Sequence, residues 1–511
     1  MESRGVIIDE VGIQVLPVFD PRKPSEDYWF GRLANRIHVS TRAPVVRRAL
    51  LFQEGSRVHS REVYESERIL RALPFIKEAH IQLEPAGPDR AKALVTVRDS
   101  WTLQVDAGYQ QVGGQRSSNF GIQDQNFLGT GKTVGAALAK NPERTDTQFT
   151  YRDPQLLGSH WALDGDYSMT TDGYGRRLWV RRPFFALRTP WSASLEGETR
   201  RFNLALYDQG GAILETPCGK DSLRLASAWA VRLEEDRVWR AGAALAMDDA
   251  RYGTWSAQAP LGGFPAPLLE DRRQRGPALT LEYQRDAFQS FQDIQGMDTS
   301  EDYNLAWGGS LEVGAFTRRL GSNRPGPYAK LRAARGWAAR PGSLTLFKGK
   351  LDVRGGGAES GRLAVESSLS TYQQVSSTYG WAGYLGVRAA HRPYPEDLVY
   401  VGGAEGLRGY PSYLHPGDRS WVGSMEHRFF TEQRWWGIFR LGYMVFLDAG
   451  SVHRVDGHGW SPVYPDVGIG LRLGDLKSSL AKVVNITVST PLRRQPGRSA
   501  WQLGVENAVR F

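Results

Sequence analysis

The chain of 511 residues carries 64 Lys and Arg against 55 Asp and Glu, and the net charge of +9 is spread along its length, without the contiguous basic patch of a nucleic-acid binder. Hydrophobic residues make up 41% and mean hydropathy is −0.42, with no apolar run approaching the ~20 residues of a transmembrane helix. That excludes a helical membrane protein and leaves open a β-barrel, in which only alternate residues face lipid and the average reads as soluble.

The length suits one large barrel plus a small domain, or three or four ordinary domains. Residues 1–101 differ from the rest. GVIIDEVGIQV reads as a strand, and a helical stretch follows near YWFGRLANRI. APVVRRALLF places Val45, Val46, Leu50 and Leu51 in a helical pattern. Ser60 is a candidate N-cap with Glu62 in the first turn, and REVYESERILRAL puts Val63, Leu70 and Leu73 on one helix face. IKEAHIQL and KALVTVRDSW read as two further strands. A sheet of about three strands with two helices on one face makes a small α+β domain.

From about residue 102 the period becomes two. In RLASAWAVRL, Leu225, Trp229, Val231 and Leu233 share a face, and in HWALDGDYSM so do Trp161, Leu163, Tyr167 and Met169. FRLGYMVFLDAG sets Phe439, Leu441, Tyr443, Val445 and Leu447 against Arg440, Gly442 and Asp448. VGIGLRLG aligns Val467, Ile469, Leu471 and Leu473, and the last segment aligns Trp501, Leu503, Val505, Val509 and Phe511. A soluble β-sandwich also has one apolar face per strand. Here the run is long and the opposite faces carry Arg, Asp and Glu. Tryptophans 161, 421, 435, 436, 460 and 501 fall at segment ends, as interfacial girdles do. Gly at 57 residues fits many turns. Windows over 103–511 give about twenty strand candidates, five of them after residue 418, an even count that returns both ends to one side. Two stretches read as long loops, about 250–275 and about 393–418.

The second loop reads LVYVGGAEGLRGYPSYLHPGD, with Leu407-Arg408-Gly409-Tyr410 at its centre. A later strand ends in Phe446-Leu447-Asp448-Ala449-Gly450, and Asp448, like Glu426 and Arg428, has the lumen-facing parity. A loop folded inward plants the Arg408 fork against Asp448 or Glu426, and Gly409 permits close backbone approach. Against this stands the plainer expectation that Arg408 is a solvated loop residue and Asp448 ends a strand. Enzymatic constellations are missing: nine histidines are scattered without HExxH, Cys218 is a single cysteine, GGAEG lacks a P-loop lysine, and no G-x-S-x-G occurs. His415 and His427 read as loop and wall residues. No cofactor or metal is expected.

LRGY in a Gly-rich loop, then FLDAG, then a chain ending in Phe511, resembles the BamA/TamA superfamily of outer-membrane assembly and secretion barrels. The resemblance implies that Arg408, Gly409 and Tyr410 form the tip of an inward-folded loop. Asp448 and Glu426 are then its lumen partners, with Phe446 and Gly450 completing the partner-strand motif. It further implies that Trp501, Leu503, Val505, Val509 and Phe511 form a C-terminal recognition strand. ESERILRALPFIKEAHIQL through VTVRDSW resembles a POTRA domain, and NFLGTGK and YRDPQLLGSHW resemble early strand-turn segments of the family. The fold implied is a transmembrane antiparallel barrel over 102–511 after a periplasmic POTRA-like domain over 1–101. The family analogy gives sixteen strands, where the windows give about twenty. One POTRA unit is recognisable, where BamA has several. MESRGVIIDE is no signal peptide, so one is expected to have been removed or the start to be misplaced.

Implied partners are outer-membrane lipids, unfolded outer-membrane or secreted client proteins bound by β-augmentation, and periplasmic helper proteins; nucleic acid is not among them. The implied role is insertion, assembly or translocation of proteins at a seam between the first strand, near 103–113 with Gly108, Gly113 and Gly114, and the last. The rival expectations are a two-partner-type secretion pore for one substrate, and a structural surface barrel.

Overall fold

The computed structural model describes residues 5–23, 27, 29–112, 115–259, 266–355, 361–435, 438–477, 483–495 and 499–506. It begins with β1 (Ile7–Leu16), α1 (Trp29–Ile37), α2 (Ala43–Arg48), α3 (Ser60–Arg71), β2 (Ile76–Gly87) and β3 (Arg90–Asp99). β3 is central in a three-stranded sheet, parallel to β1 and antiparallel to β2. α2 opens with a proline in its first turn, where a missing N–H costs nothing. Alternate residues of β3, Ala91, Ala93, Val95 and Val97, are buried against Val46, Leu70 and Phe75. Ser60 is the first helical residue of α3, not its cap; His59 holds the cap position without a side-chain cap hydrogen bond.

The barrel opens with β4 (Leu103–Val112), β5 (Gln115–Asp124), β6 (Thr133–Lys140), β7 (Thr145–Asp153), β8 (Ala162–Thr170) and β9 (Gly173–Arg182). Next come β10 (Trp191–Asp208), β11 (Gly211–Leu233), β12 (Arg237–Tyr252), the two-residue β13 (Ser256–Ala257) and β14 (Arg272–Arg285). A hairpin of β15 (Phe288–Gln292) and β16 (Ser300–Asn304) precedes β17 (Gly308–Phe316), β18 (Gly326–Trp337) and β19 (Ser343–Arg354). β20 (Arg362–Gln374), β21 (Tyr379–His391), β22 (Gly417–Trp435) and β23 (Phe439–Arg454) continue the wall. The short β24 (Gly459–Trp460) precedes β25 (Tyr464–Asp475), β26 (Val483–Pro491) and β27 (Gln502–Glu506). Each long wall strand pairs antiparallel with its neighbours, and β27 closes on β4. With β13 and β24 as side pieces, the described wall has twenty strands, five of them from β22 onward. The sixteen taken from the family analogy is corrected: every alternating segment finds a partner on both sides, so the windows counted real strands.

The alternation places apolar side chains outside. Leu225, Trp229, Val231 and Leu233 are exposed, as are Tyr443, Val445, Leu447 and Ile469. Leu441, expected on the same face, is buried. Trp435, Trp460 and Trp501 are exposed, Trp161 and Trp421 are half-buried, and Trp436 lies outside the described residues. Charges turn inward and pair across the lumen between strands that are not neighbours: Arg224 of β11 lies 2.6 Å from Glu312 of β17, and Arg354 of β19 lies 3.0 Å from Asp248 of β12.

One rim of the barrel meets the N-terminal sheet-and-helix unit. The backbone of Arg42 donates to Gly129 in the β5–β6 turn, and Gln155 in the β7–β8 turn donates to the carbonyl of Val45. Two segments enter the lumen from opposite rims. Residues 392–416, between β21 and β22, fold in from the far rim. The β15–β16 hairpin folds in from the near rim. The connection of 253–271 between β12 and β14 is the other long loop expected, and its residues 260–265 lie outside the described residues.

Candidate functional site in the barrel lumen

Three adjacent wall strands and one loop build the site. β22 and β23 pair with Ser424 opposite Asp448 and Glu426 opposite Phe446, so Ser424, Glu426, Phe446 and Asp448 form one inward patch. β23 and β25 pair with Asp448 opposite Asp466. The loop lays an apolar underside on this wall: Val399, Val401, Leu407, Tyr410 and Leu414 are buried against Val422, Val452 and Tyr464.

Arg408 projects from that underside into the charged patch and is 4% exposed. Its Nε and Nη2 donate to Asp448 Oδ2 and Oδ1, each at 2.7 Å, the two-pronged geometry a guanidinium shares with a carboxylate. Nη1 donates to Glu426 Oε1 at 2.8 Å, and Nη2 also reaches Ser424 Oγ at 3.1 Å. Ser424 in turn donates to Asp448 Oδ1 at 2.6 Å. The guanidinium carbon stands 3.4 Å above the centre of the Phe446 ring, a cation–π contact. Burial works against the Arg408 charge, but the Asp448 and Glu426 carboxylates outweigh it and hold the guanidinium above its ordinary range. Burial also raises the Glu405 carboxyl, three residues earlier in the loop, to about 7.

The backbone around Arg408 is held as firmly. Ser489 Oγ of β26 donates to the Arg408 carbonyl at 2.8 Å. Gly409 presses on the wall so closely that an added Cβ would stand 2.5 Å from Asp466 Cβ. Tyr410 is fully buried; its hydroxyl donates to the Pro465 carbonyl at 2.8 Å and accepts from the Arg493 backbone at 3.2 Å. Gly450 leaves room for Leu407, whose Cδ2 an added Cβ would meet at 3.3 Å. His415 bridges Asp208 of β10 at 2.7 Å and Tyr464 of β25 at 2.9 Å, tying opposite parts of the rim. His427 is on the outward face, stacked on Trp381 at 4.0 Å.

The structure thus brings Arg408, Gly409, Tyr410, Asp448, Glu426, Phe446 and Gly450 into one cluster. The terminal residues lie apart from it. Trp501 precedes β27, Leu503 points outward, Val505 is half-buried, and Val509 and Phe511 lie outside the described residues. At the closure, Leu503, Gly504 and Val505 stand opposite Gln111, Gln110 and Tyr109. Gly108 of β4 faces Asn119 and the Val505 carbonyl, while Gly113 and Gly114 lie outside the described residues.

Sequence reasoning missed Ser424, Ser489 and the contact made by Arg428. Ser424 was within reach, because it shares the parity of Glu426. Arg428 Nε donates to Glu426 Oε2 at 2.9 Å, and its Nη1 donates to the carbonyl of Ile294 in the hairpin at 2.9 Å. Among the described residues no cluster of His, Cys, Asp and Glu has the makings of a metal site. What the arrangement can do is mechanical. It holds a loop inside a barrel by one enclosed cation shared between two carboxylates.

No family model matches the chain. Among solved structures, the chain is similar to BamA from Haemophilus ducreyi lacking POTRA domains 1–3, at 13% identity over 98% of this chain and 84% of that one, with a TM-score of 0.42. It is similar to CdiB from Acinetobacter baumannii at 11% identity, over 98% and 73% of the two chains, with a TM-score of 0.46. For CdiB from Escherichia coli the identity is 12%, the coverage 98% and 76%, and the TM-score 0.45. The chain is therefore similar, along nearly its whole length, to solved BamA and CdiB structures.

Proposed function

We propose that the protein is an outer-membrane barrel of the BamA/TamA kind that assists the insertion, assembly or translocation of other proteins. In this reading the outward apolar belt of β4–β27 meets lipid, and the N-terminal unit is a POTRA-like domain in the periplasm. The observation that carries the reading is the enclosure of Arg408 between Asp448 and Glu426. A passive wall has no need of it, because burying charges is costly unless they are paired, and the pair brings no stability that apolar packing would not supply. Its use is to fix a loop in one seated position beside the strands that approach the closure.

The closure between β27 and β4 is where a client would be received. Parting the two strands frees backbone N–H and C=O groups on both, and such an edge templates an incoming strand. The edge strands β1 and β2 of the N-terminal sheet offer the same chemistry before the membrane is reached. The lumen is occupied by the loop and the hairpin, which favours the closure over the lumen as the route.

A disulfide across the closure tests this. Gln111 and Leu503 are directly opposite, and Cys218, the native cysteine, is buried. The double variant Gln111→Cys/Leu503→Cys, oxidised, is expected to deplete many outer-membrane proteins from a cell census, with recovery on reduction. An unchanged census with loss of one exported protein would instead support a secretion pore. No change in either contradicts the proposal.

A further inference from the structure

We infer that the β15–β16 hairpin is a second plug, a latch that shuts the barrel from the near rim and ties the N-terminal unit to the Arg408 anchor. This holds whichever way clients pass, and does not rest on the function proposed above.

The hairpin leaves the wall between β14 and β17 and crosses the mouth to the opposite side. Phe291 and Ile294 are buried against Leu344, Tyr372 and Ala382, inward residues of β19, β20 and β21. Met297 at the tip is buried with Phe430 and Val483. The wall is shaped to receive it: a Cβ on Gly474 of β25 would stand 2.5 Å from Met297 Cβ. An isolated two-stranded hairpin is marginal by itself, so contacts from outside decide whether this one stays seated.

Those contacts are cations that converge on its carboxylates from two directions. From the N-terminal unit, Arg71 of α3 donates through Nε and Nη2 to Asp302 Oδ2 at 3.2 and 2.9 Å, and Arg68 lies over the Phe288 ring at 4.0 Å. From the wall, Arg434 donates to Asp298 at 2.8 Å, and Arg440 pairs with both Asp298 and Asp293. Arg428 then holds the Ile294 carbonyl and shares Glu426 with Arg408. A chain of direct contacts therefore runs from α3 through Asp302, the hairpin, Arg428 and Glu426 to Arg408. A client or helper that moves α3 pulls on the hairpin, and release of Ile294 frees Arg428 to compete for Glu426. One element with a seated and an unseated position is what such coupling requires.

The test uses the full chain in planar bilayers and proteoliposomes. Two readouts are taken: conductance, and labelling of Met297→Cys by a water-soluble thiol reagent. Asp302→Lys, facing Arg71, is expected to raise both labelling rate and open probability roughly tenfold, the change that about 1.4 kcal/mol makes in an equilibrium constant. The exchanged pair Arg71→Asp/Asp302→Arg is expected to restore both. Heat-modifiable migration reports whether each barrel is folded, and Arg71→Ala replaces Asp302→Lys if that variant fails to fold. Wild-type labelling and conductance in the single variants, or no recovery in the exchanged pair, would overturn the inference. A client census that fails while the latch behaves as stated would sink only the assembly reading.

Discussion

The N-terminal unit and the β22–β25 wall use the same strand alternation with the solvents exchanged. In the first, Val95 and Val97 of β3 are fully buried and Arg98 comes to the surface side. In the second, Val445 and Ile469 are more than half exposed outside while Asp448 is fully buried inside. The first is held by apolar area taken from water, the second by closed hydrogen bonding plus a few enclosed ion pairs. Apolar contacts tolerate small shifts. An enclosed ion pair does not, because a stranded charge is costly. The loop is thus held by a part that is either in place or out.

That contrast can be broken by substitution. The largest effect is expected from Asp448→Ala, which removes the two-pronged partner of the enclosed Arg408 and leaves it Glu426 as its one carboxylate partner, at a cost of ~3–5 kcal/mol to the seated loop, read as proteolytic cleavage of the loop in proteoliposomes. In the apolar region, Leu70→Ala should cost ~2–5 kcal/mol and unfold residues 5–99 while leaving the barrel heat-modifiable. Val445→Arg, on the outward face that the proposed function places against lipid, should destabilise the barrel by ~2–4 kcal/mol in lipid, measured by urea unfolding, because a lipid-facing position rejects charge. A water-facing Val445 would leave stability unchanged. Gly409→Ala pushes a methyl against Asp466 and should cost ~1–3 kcal/mol of loop seating, with the same proteolysis readout. The smallest effect belongs to the half-exposed Arg47–Glu54 pair at 3.2 Å; Glu54→Gln should change stability by less than ~1 kcal/mol.

Much of this was legible from residues alone, because a period of two fixes which side chains share a face. Parity alone puts Asp448, Glu426 and Arg428 on the inward side, and the loop motif supplies the cation. Parity says nothing of distance, so it could not choose between Asp448 and Glu426; Arg408 takes both. The strand number followed from counting segments and not from the family analogy. The hairpin was not legible: Phe291, Ile294 and Met297 are spaced by three across a turn, which matches neither a wall strand nor a stable helix. Nor does alternation reveal which outward residues are covered, as Leu441 is.

Hydrogen exchange of residues 405–412 in the lipid-embedded full chain addresses the central claim most directly. The account predicts strong protection in the wild type, falling at least tenfold in Arg408→Ala while β19 and β20 stay protected. A wild-type loop that exchanges like a solvated segment would contradict it.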